Sequence, residues 1–158
     1  MRLALYQPDI PQNTGSLIRL GACLGVPIDV IEPCGFPFSA RDLKRVALDY
    51  VHLAQVARHA SWRDFLSQLA GRRVVLLTTR AAAAPADFAF RADDVLMVGR
   101  ESVGVPAEVH DRADARLRIP MVEGARSLNV ALAAAMALGE ALRQTGQLPA
   151  RRGSEAAA

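Results

Sequence analysis

Three short polar stretches carry residue types suited to binding and to proton or phosphate chemistry. Pro11-Gln-Asn-Thr-Gly-Ser-Leu-Ile-Arg19 brings Asn13 and Arg19 near the start of a helix. Gly99-Arg-Glu-Ser-Val-Gly-Val-Pro106 flanks Glu101 with two glycines. Ile119-Pro-Met-Val-Glu-Gly-Ala-Arg-Ser-Leu-Asn129 sets Arg126, Ser127 and Asn129 just ahead of an apolar helix. Polar groups held at a helix N-terminus are well placed for binding work. Ser127 or Asn129 acting simply as the helix cap is an equal alternative. Several chemistries drop out. No GxGxxG follows the first strand, and the Gly99 loop lacks the Gly-Lys-Ser/Thr of a phosphate loop. His52, His59 and His110 have neither metal-ligand spacing nor a nucleophile elbow to serve, so they are expected to be surface or structural, and no metal is expected.

The elements that must position these stretches follow from periodicity. Leu3–Tyr6, Ile28–Ile31, Arg73–Leu77 and Asp94–Val98 are short apolar runs that predict buried strands, and Ala115–Ile119 alternates like a strand. Tyr50–Gln55 is read as a further strand. Helices are predicted after Gln12, after Ser39, over Ser61–Leu69 with Ser61 as cap, over Pro106–Ala113, and over Val130–Leu138. The last is apolar all round and predicts burial on several sides. Strands alternating with helices, with continuous apolar central strands, indicate an α/β domain with a mostly parallel sheet covered on both faces. Ligands of such sheets sit beyond the carboxyl ends of the strands. There the chain leaves as Leu77-Thr78-Thr79, Gly99–Gly104 and Ile119–Asn129.

Residues 1–146 are expected to form one domain, with residues 147–158 a disordered tail. At 51% hydrophobic and 22% charged residues the composition is that of a soluble protein, and Arg19, Arg63, Asp94 and Arg143 interrupt every apolar run that approaches a membrane span. No signal peptide is expected at the N-terminus. Cys23 and Cys34 lack metal spacing and are expected to be buried thiols in a reducing cytoplasm. The net charge of +3 leans weakly towards a polyanion, and Lys44 is the only lysine among the cations. Arg41, Lys44 and Arg45 share one face of the helix after Ser39, either as solvated surface or as a phosphate-binding face.

Taken together and in this order, the three stretches resemble the motifs of the SPOUT methyltransferases. Pro11–Arg19 fits motif one, Gly99-x-Glu101-x-x-Gly104-Val-Pro106 fits motif two, and Ile119-Pro-Met-Val with Arg126-Ser-x-Asn129 fits motif three. Gly35-Phe36 and Leu48-Asp-Tyr50 point to the small tRNA (cytidine/uridine-34) 2′-O-methyltransferases within that superfamily. The resemblance runs from Leu3 to about Gln144, and the lack of an appended RNA-binding domain suits the same subgroup. It departs at Gly139-Glu140, where the family usually carries Tyr-Glu near the dimer interface.

The resemblance implies a fold whose C-terminal half threads a deep trefoil knot, a homodimer, S-adenosylmethionine as methyl donor, and transfer to the ribose 2′-oxygen of the tRNA wobble nucleotide. Leu77, Gly99, Ile119 and Ser127 would line the cofactor site, with Met121 and Leu128 as neighbouring backbone contacts. Relatives give Arg19 a central role, sometimes as the base. A guanidinium stays protonated, so a fork on the adjacent phosphate suits it better. Asn13, Glu101, Ser127 and Asn129 would orient Arg19 and the ribose. Arg41, Lys44 and Arg45 would contact RNA, with Arg126 nearer the ribose. Rival readings are a same-fold 2′-O-methyltransferase of ribosomal RNA or another tRNA position, a catalytically idle RNA-binding dimer, and a structural module.

Overall fold

A computed structural model of the chain describes residues 1–38 and 53–150. Its strands are β1 (Arg2–Tyr6), β2 (Ile28–Ile31), β3 (Val56–His59), β4 (Val74–Leu77), β5 (Val95–Val98) and β6 (Ala115–Leu117). The helices are α1 (Pro11–Leu24), α2 (Trp62–Ser67), α3 (Ala107–Arg112) and α4 (Val130–Thr145), with a 3-10 turn at Pro85–Asp87. Among the described residues the strands form one sheet in the order β3-β2-β1-β5-β4-β6, and every pairing is parallel.

Strand alternation divides the apolar side chains between two faces. Leu3, Leu5, Ile28, Val30, Leu96 and Val98 point to the side covered by α1 and α4. Ala4, Tyr6, Ile31, Leu76 and Met97 point to the side covered by α2 and α3. Each of these side chains is nearly or fully buried, contributing roughly 1.5–3 kcal/mol for the larger ones. On α4 the buried stripe is Ala134, Ala137, Leu138, Ala141 and Leu142, small enough for α1 to approach closely.

The α2-facing side also holds a buried polar cluster. Arg2 forks onto Asp29, with Nε donating to Oδ2 at 2.6 Å and Nη2 to Oδ1 at 2.7 Å. His59 Nε2 lies 2.9 Å from Asp29 Oδ1, so this histidine is structural. The cluster stitches β1, β2 and β3 and supports the observed register.

Three expectations are corrected. The strand foreseen at Tyr50–Gln55 begins instead at Val56, because Ile28 pairs with Val56 and Ile31 with His59. A short apolar run does not reveal its own register. Cys23 is exposed on the outer face of α1 and Cys34 is half-buried, both as free thiols. The helix expected after Ser39 falls largely outside the described residues, as does His52. No described helix is long and apolar enough to cross a membrane.

Asp29→Ala leaves Arg2 and the buried His59 without their shared acceptor. Urea unfolding should show a loss of about 2–4 kcal/mol, less than for a fully buried pair because Arg2 keeps partial contact with water.

Candidate active site

The loops leaving the carboxyl ends of β4, β5 and β6, with the start of α1, enclose a cavity of about 600 Å³. Leu77, Ile119, Met121 and Leu128 supply apolar wall, Gly99 and Gly104 supply bare backbone, and Asn13, Glu101, Ser127 and Asn129 supply polar groups. All six residues expected to hold the cofactor therefore face one space, together with four of the five expected catalytic residues. Arg19 does not. It is exposed on α1, further along the helix than Asn13 and outside the cavity lining. Arg126 is likewise exposed and off the lining. Arg41, Lys44 and Arg45 lie outside the described residues.

The loop after β5 is closed on itself. Arg100 N–H donates to Gly104 O at 3.1 Å and Gly104 N–H returns a bond to Arg100 O at 2.9 Å. A Cβ on Gly99 would sit 2.8 Å from the Gly104 carbonyl carbon and 2.9 Å from Val105 Cγ1. Glycine at 99 is thus demanded by the loop's own packing, whatever else approaches it. Arg80 Nη2 donates to Val105 O at 3.3 Å and ties the β4 loop to the same turn.

Asn129 settles the question of the cap. Its Oδ1 accepts the N–H groups of Ala131 at 2.9 Å and Leu132 at 3.3 Å, so it caps α4. Its Nδ2 also donates to Asn13 Oδ1 at 2.9 Å. One side chain therefore begins α4 and links motif three to motif one. Ser127 is left facing the cavity.

Across the β1–β5 junction, Asp9 and Glu101 face each other. Asp9 Oδ1 accepts the Glu101 N–H at 3.1 Å, Asp9 N–H donates to Glu101 Oε2 at 3.3 Å, and the Ser102 hydroxyl donates to Asp9 Oδ2. The remaining oxygen of Glu101, Oε1, is buried without a hydrogen bond among the described residues. The bond to Glu101, with help from Ser102, holds the Asp9 carboxyl well below its ordinary range. Burial, then the neighbouring Asp9, pushes Glu101 upward, while the Asn13 side chain opposes the rise. Two adjacent carboxyls with displaced affinities for protons are a recognised mark of a working site.

Sequence reasoning did not place Ile10, Arg80, Arg100, Arg118 or the Asp9–Glu101 contact at this site. The usable signal was position: Arg80, Arg100 and Arg118 all lie within a few residues of a strand's carboxyl end. Asp9 shares that position, three residues beyond β1, but its pairing with Glu101 had no signal, since that partner is distant in the chain.

The chain matches the SpoU rRNA Methylase family over residues 1–139. It is 56% identical over 148 residues to the tRNA (cytidine(34)-2'-O)-methyltransferase of Ancylobacter novellus, spanning 92% of this chain and 94% of the relative. It is 39% identical over 148 residues to the enzyme of the same name from Escherichia coli K12, again spanning 92% and 94%. A solved structure described as giving insights into the 2-OH methylation of C/U34 on tRNA has a TM-score of 0.85 at 44% identity, covering 90% of this chain and 94% of that one. The SpoU methyltransferase AviRb from Streptomyces viridochromogenes, solved with the cofactor AdoMet, has a TM-score of 0.80 at 26% identity, covering 91% of this chain and 60% of that one.

Because an added methyl at 99 meets backbone, Gly99→Ala should cost about 1–3 kcal/mol and lower ligand affinity at the same time. Paired thermal unfolding and calorimetric titration check this. Lost affinity with an unaltered melting temperature would show that Gly99 serves only ligand approach.

Proposed function

The chain belongs to the SpoU rRNA Methylase family, and on that premise we propose that it is an S-adenosylmethionine-dependent tRNA 2′-O-ribose methyltransferase acting on nucleotide 34, cytidine or modified uridine, of the anticodon loop. The observation that carries the reading is the convergence of the three motif loops on one cavity, within a chain so similar to wobble-nucleotide enzymes over nearly its whole length.

The cavity fits the methyl donor. Its volume is in the range of sites that hold small-molecule ligands and cofactors. Within residues 119–128 the described backbone forms one hydrogen bond to another backbone group through its own turn, Ala125 N–H to Val122 O at 3.2 Å. Among the described residues this segment makes no other backbone–backbone hydrogen bond, so its peptide groups would be available to the edge of an adenine. S-adenosylmethionine, when bound, supplies a methyl group on a positively charged sulfur and no phosphate, in keeping with the missing phosphate-loop signature. Leu77, Gly99, Ile119, Met121, Ser127 and Leu128 would hold it.

This chain's own residues do the rest by positioning, which supplies roughly 7–11 kcal/mol in the most favourable intramolecular cases. Asn13, fixed by Asn129, and Glu101, fixed by Asp9, would orient the ribose hydroxyl at the cavity. The exposure of Arg19 outside the lining favours a fork on an RNA phosphate over a base within the cavity. Arg126 would sit on the RNA side as well.

A homodimer belongs to the same reading. Leu132 and Met136 expose an apolar stripe on α4, and no described atom lies within 4 Å of a Cβ added at Gly139. A second copy laid on that stripe would cover it, and Gly139 would leave room where relatives carry tyrosine. The C-terminal trefoil knot and a cytoplasmic location also belong to this reading, as properties that the family resemblance implies.

Incubation with labelled S-adenosylmethionine and total cellular RNA, followed by mass-spectrometric mapping, should place the new 2′-O-methyl group at position 34 of tRNA. Transfer only to ribosomal RNA or to another tRNA position would establish the rival enzyme, and no transfer to any RNA the idle binder. In the same assay Arg19→Lys should lower kcat at least about tenfold while cofactor affinity and melting temperature hold, since lysine keeps charge and loses the planar fork. Replacing Arg41, Lys44 and Arg45 together by Ala should flatten the slope of log Kd for tRNA against log salt by up to about 2, leaving S-adenosylmethionine affinity unchanged.

A further inference from the structure

We propose that Asp9 is a positioning residue: it clasps the Gly99–Gly104 loop and fixes the Glu101 carboxyl at the cavity, with Gly35 bracing it from behind. The proposal rests on the methyl-transfer reading above and assigns a role to a residue outside the three motifs.

The geometry is reciprocal. Asp9 gives its N–H to Glu101 Oε2 and receives the Glu101 N–H and the Ser102 hydroxyl on its two carboxylate oxygens. Three bonds therefore join two loops that are distant in sequence, and each loop holds the other. Such a clasp restricts both the backbone at 101 and the direction of its side chain. Glu101 faces Asp9 from the β1–α1 loop and Asn13 from α1, and it keeps one buried oxygen without a hydrogen bond among the described residues. A buried acceptor of that kind at a cavity wall is available to a hydroxyl donor from a substrate.

Asp9 is itself held. Gly35 N–H donates to Pro8 O at 2.9 Å, and a Cβ on Gly35 would come within 2.7 Å of Asp9 Cβ and 2.9 Å of its Cα. Only glycine at 35 lets the two loops close this far. The segment after β2 is thereby pressed against the residue that sets Glu101, so that displacement of Gly35 reaches the cavity through Asp9.

The test uses the full-length protein and three variants. In Asp9→Ala, hydrogen exchange at the Glu101 amide, read by NMR without substrate, should quicken at least about tenfold. With S-adenosylmethionine and tRNA, its kcat should fall about 10- to 100-fold with KM for the methyl donor within about twofold. Asp9→Asn keeps an acceptor for the Glu101 N–H and should restore the slow exchange and part of kcat. It removes the carboxyl that raises Glu101, so the limb of the kcat profile governed by Glu101 should move to lower pH. Gly35→Ala should reproduce the kcat loss of Asp9→Ala. Unchanged exchange or unchanged kcat in Asp9→Ala overturns the clasp. A loss of kcat that follows a matching loss of melting temperature and cofactor affinity also overturns it, leaving Asp9 a structural part only. A wild-type protein that methylates no RNA defeats the function reading instead, and the exchange rates then decide the clasp by themselves.

Discussion

Parallel pairing of β1 with β5 sets Leu3 opposite Leu96 and Leu5 opposite Val98, so the chain leaves both strands at the same edge of the sheet. Everything at the cavity follows from that register. The β1 exit carries Asp9 and Asn13, and the β5 exit carries Gly99, Glu101 and Ser102. A slip of one residue would turn every side chain of β1 to the opposite face and separate Asp9 from Glu101. The register is supported by full burial of Leu3 and Leu96 on one side. On the other, the Arg2 fork reaches across to Asp29 on β2. Stability and site geometry therefore rest on the same few strand residues.

Around that junction the site is built mainly from backbone and short polar side chains. Asn129 and Asp9 play parallel parts. Asn129 accepts two backbone N–H groups of its own helix turn while reaching Asn13, and Asp9 accepts the Glu101 N–H while its own N–H holds the Glu101 carboxyl. An asparagine or aspartate is suited to this because its side chain is short, loses little rotamer freedom, and accepts main-chain donors without leaving the turn. The result is a cavity whose polar groups Asn13 and Glu101 are tied by hydrogen bonds from neighbouring loops, as a positioning mechanism requires. Arg80, Arg100 and Arg118 line the cavity, but two of the cations expected to serve RNA stand apart from it. Arg19 and Arg126 are exposed outside the lining, which suits charges meant for a polyanion larger than the cavity.

Local pattern and long-range pairing divide what could be read in advance. Apolar runs marked four of the six strands and alternation a fifth, and Ser61 marked the start of α2, because these depend on neighbours within one or two turns of chain. The six residues grouped for the cofactor came from the family resemblance, and they line one cavity because the strands they leave or follow end at one edge of a parallel sheet. Tyr50–Gln55 misled because a short apolar run fits either side of a true strand boundary. Cys23 misled because apolar character says nothing of which way a helix face turns. The exposed stripe of α4 was hidden for the same reason, in a helix whose residues are nearly all apolar.

By itself, then, the sequence determined most of the elements, the apolar character of Val130–Leu138, the polar loops at strand ends and the family resemblance those loops carry. Each is a matter of residue type and short spacing. Only the tertiary structure decided that Asp9 meets Glu101, that Asn129 both caps α4 and reaches Asn13, and that Gly99 and Gly35 are required by backbone approaching backbone. Those contacts join residues far apart in the chain. They exist because parallel pairing brings distant loops to one edge of the sheet, and no local preference encodes the distance between them.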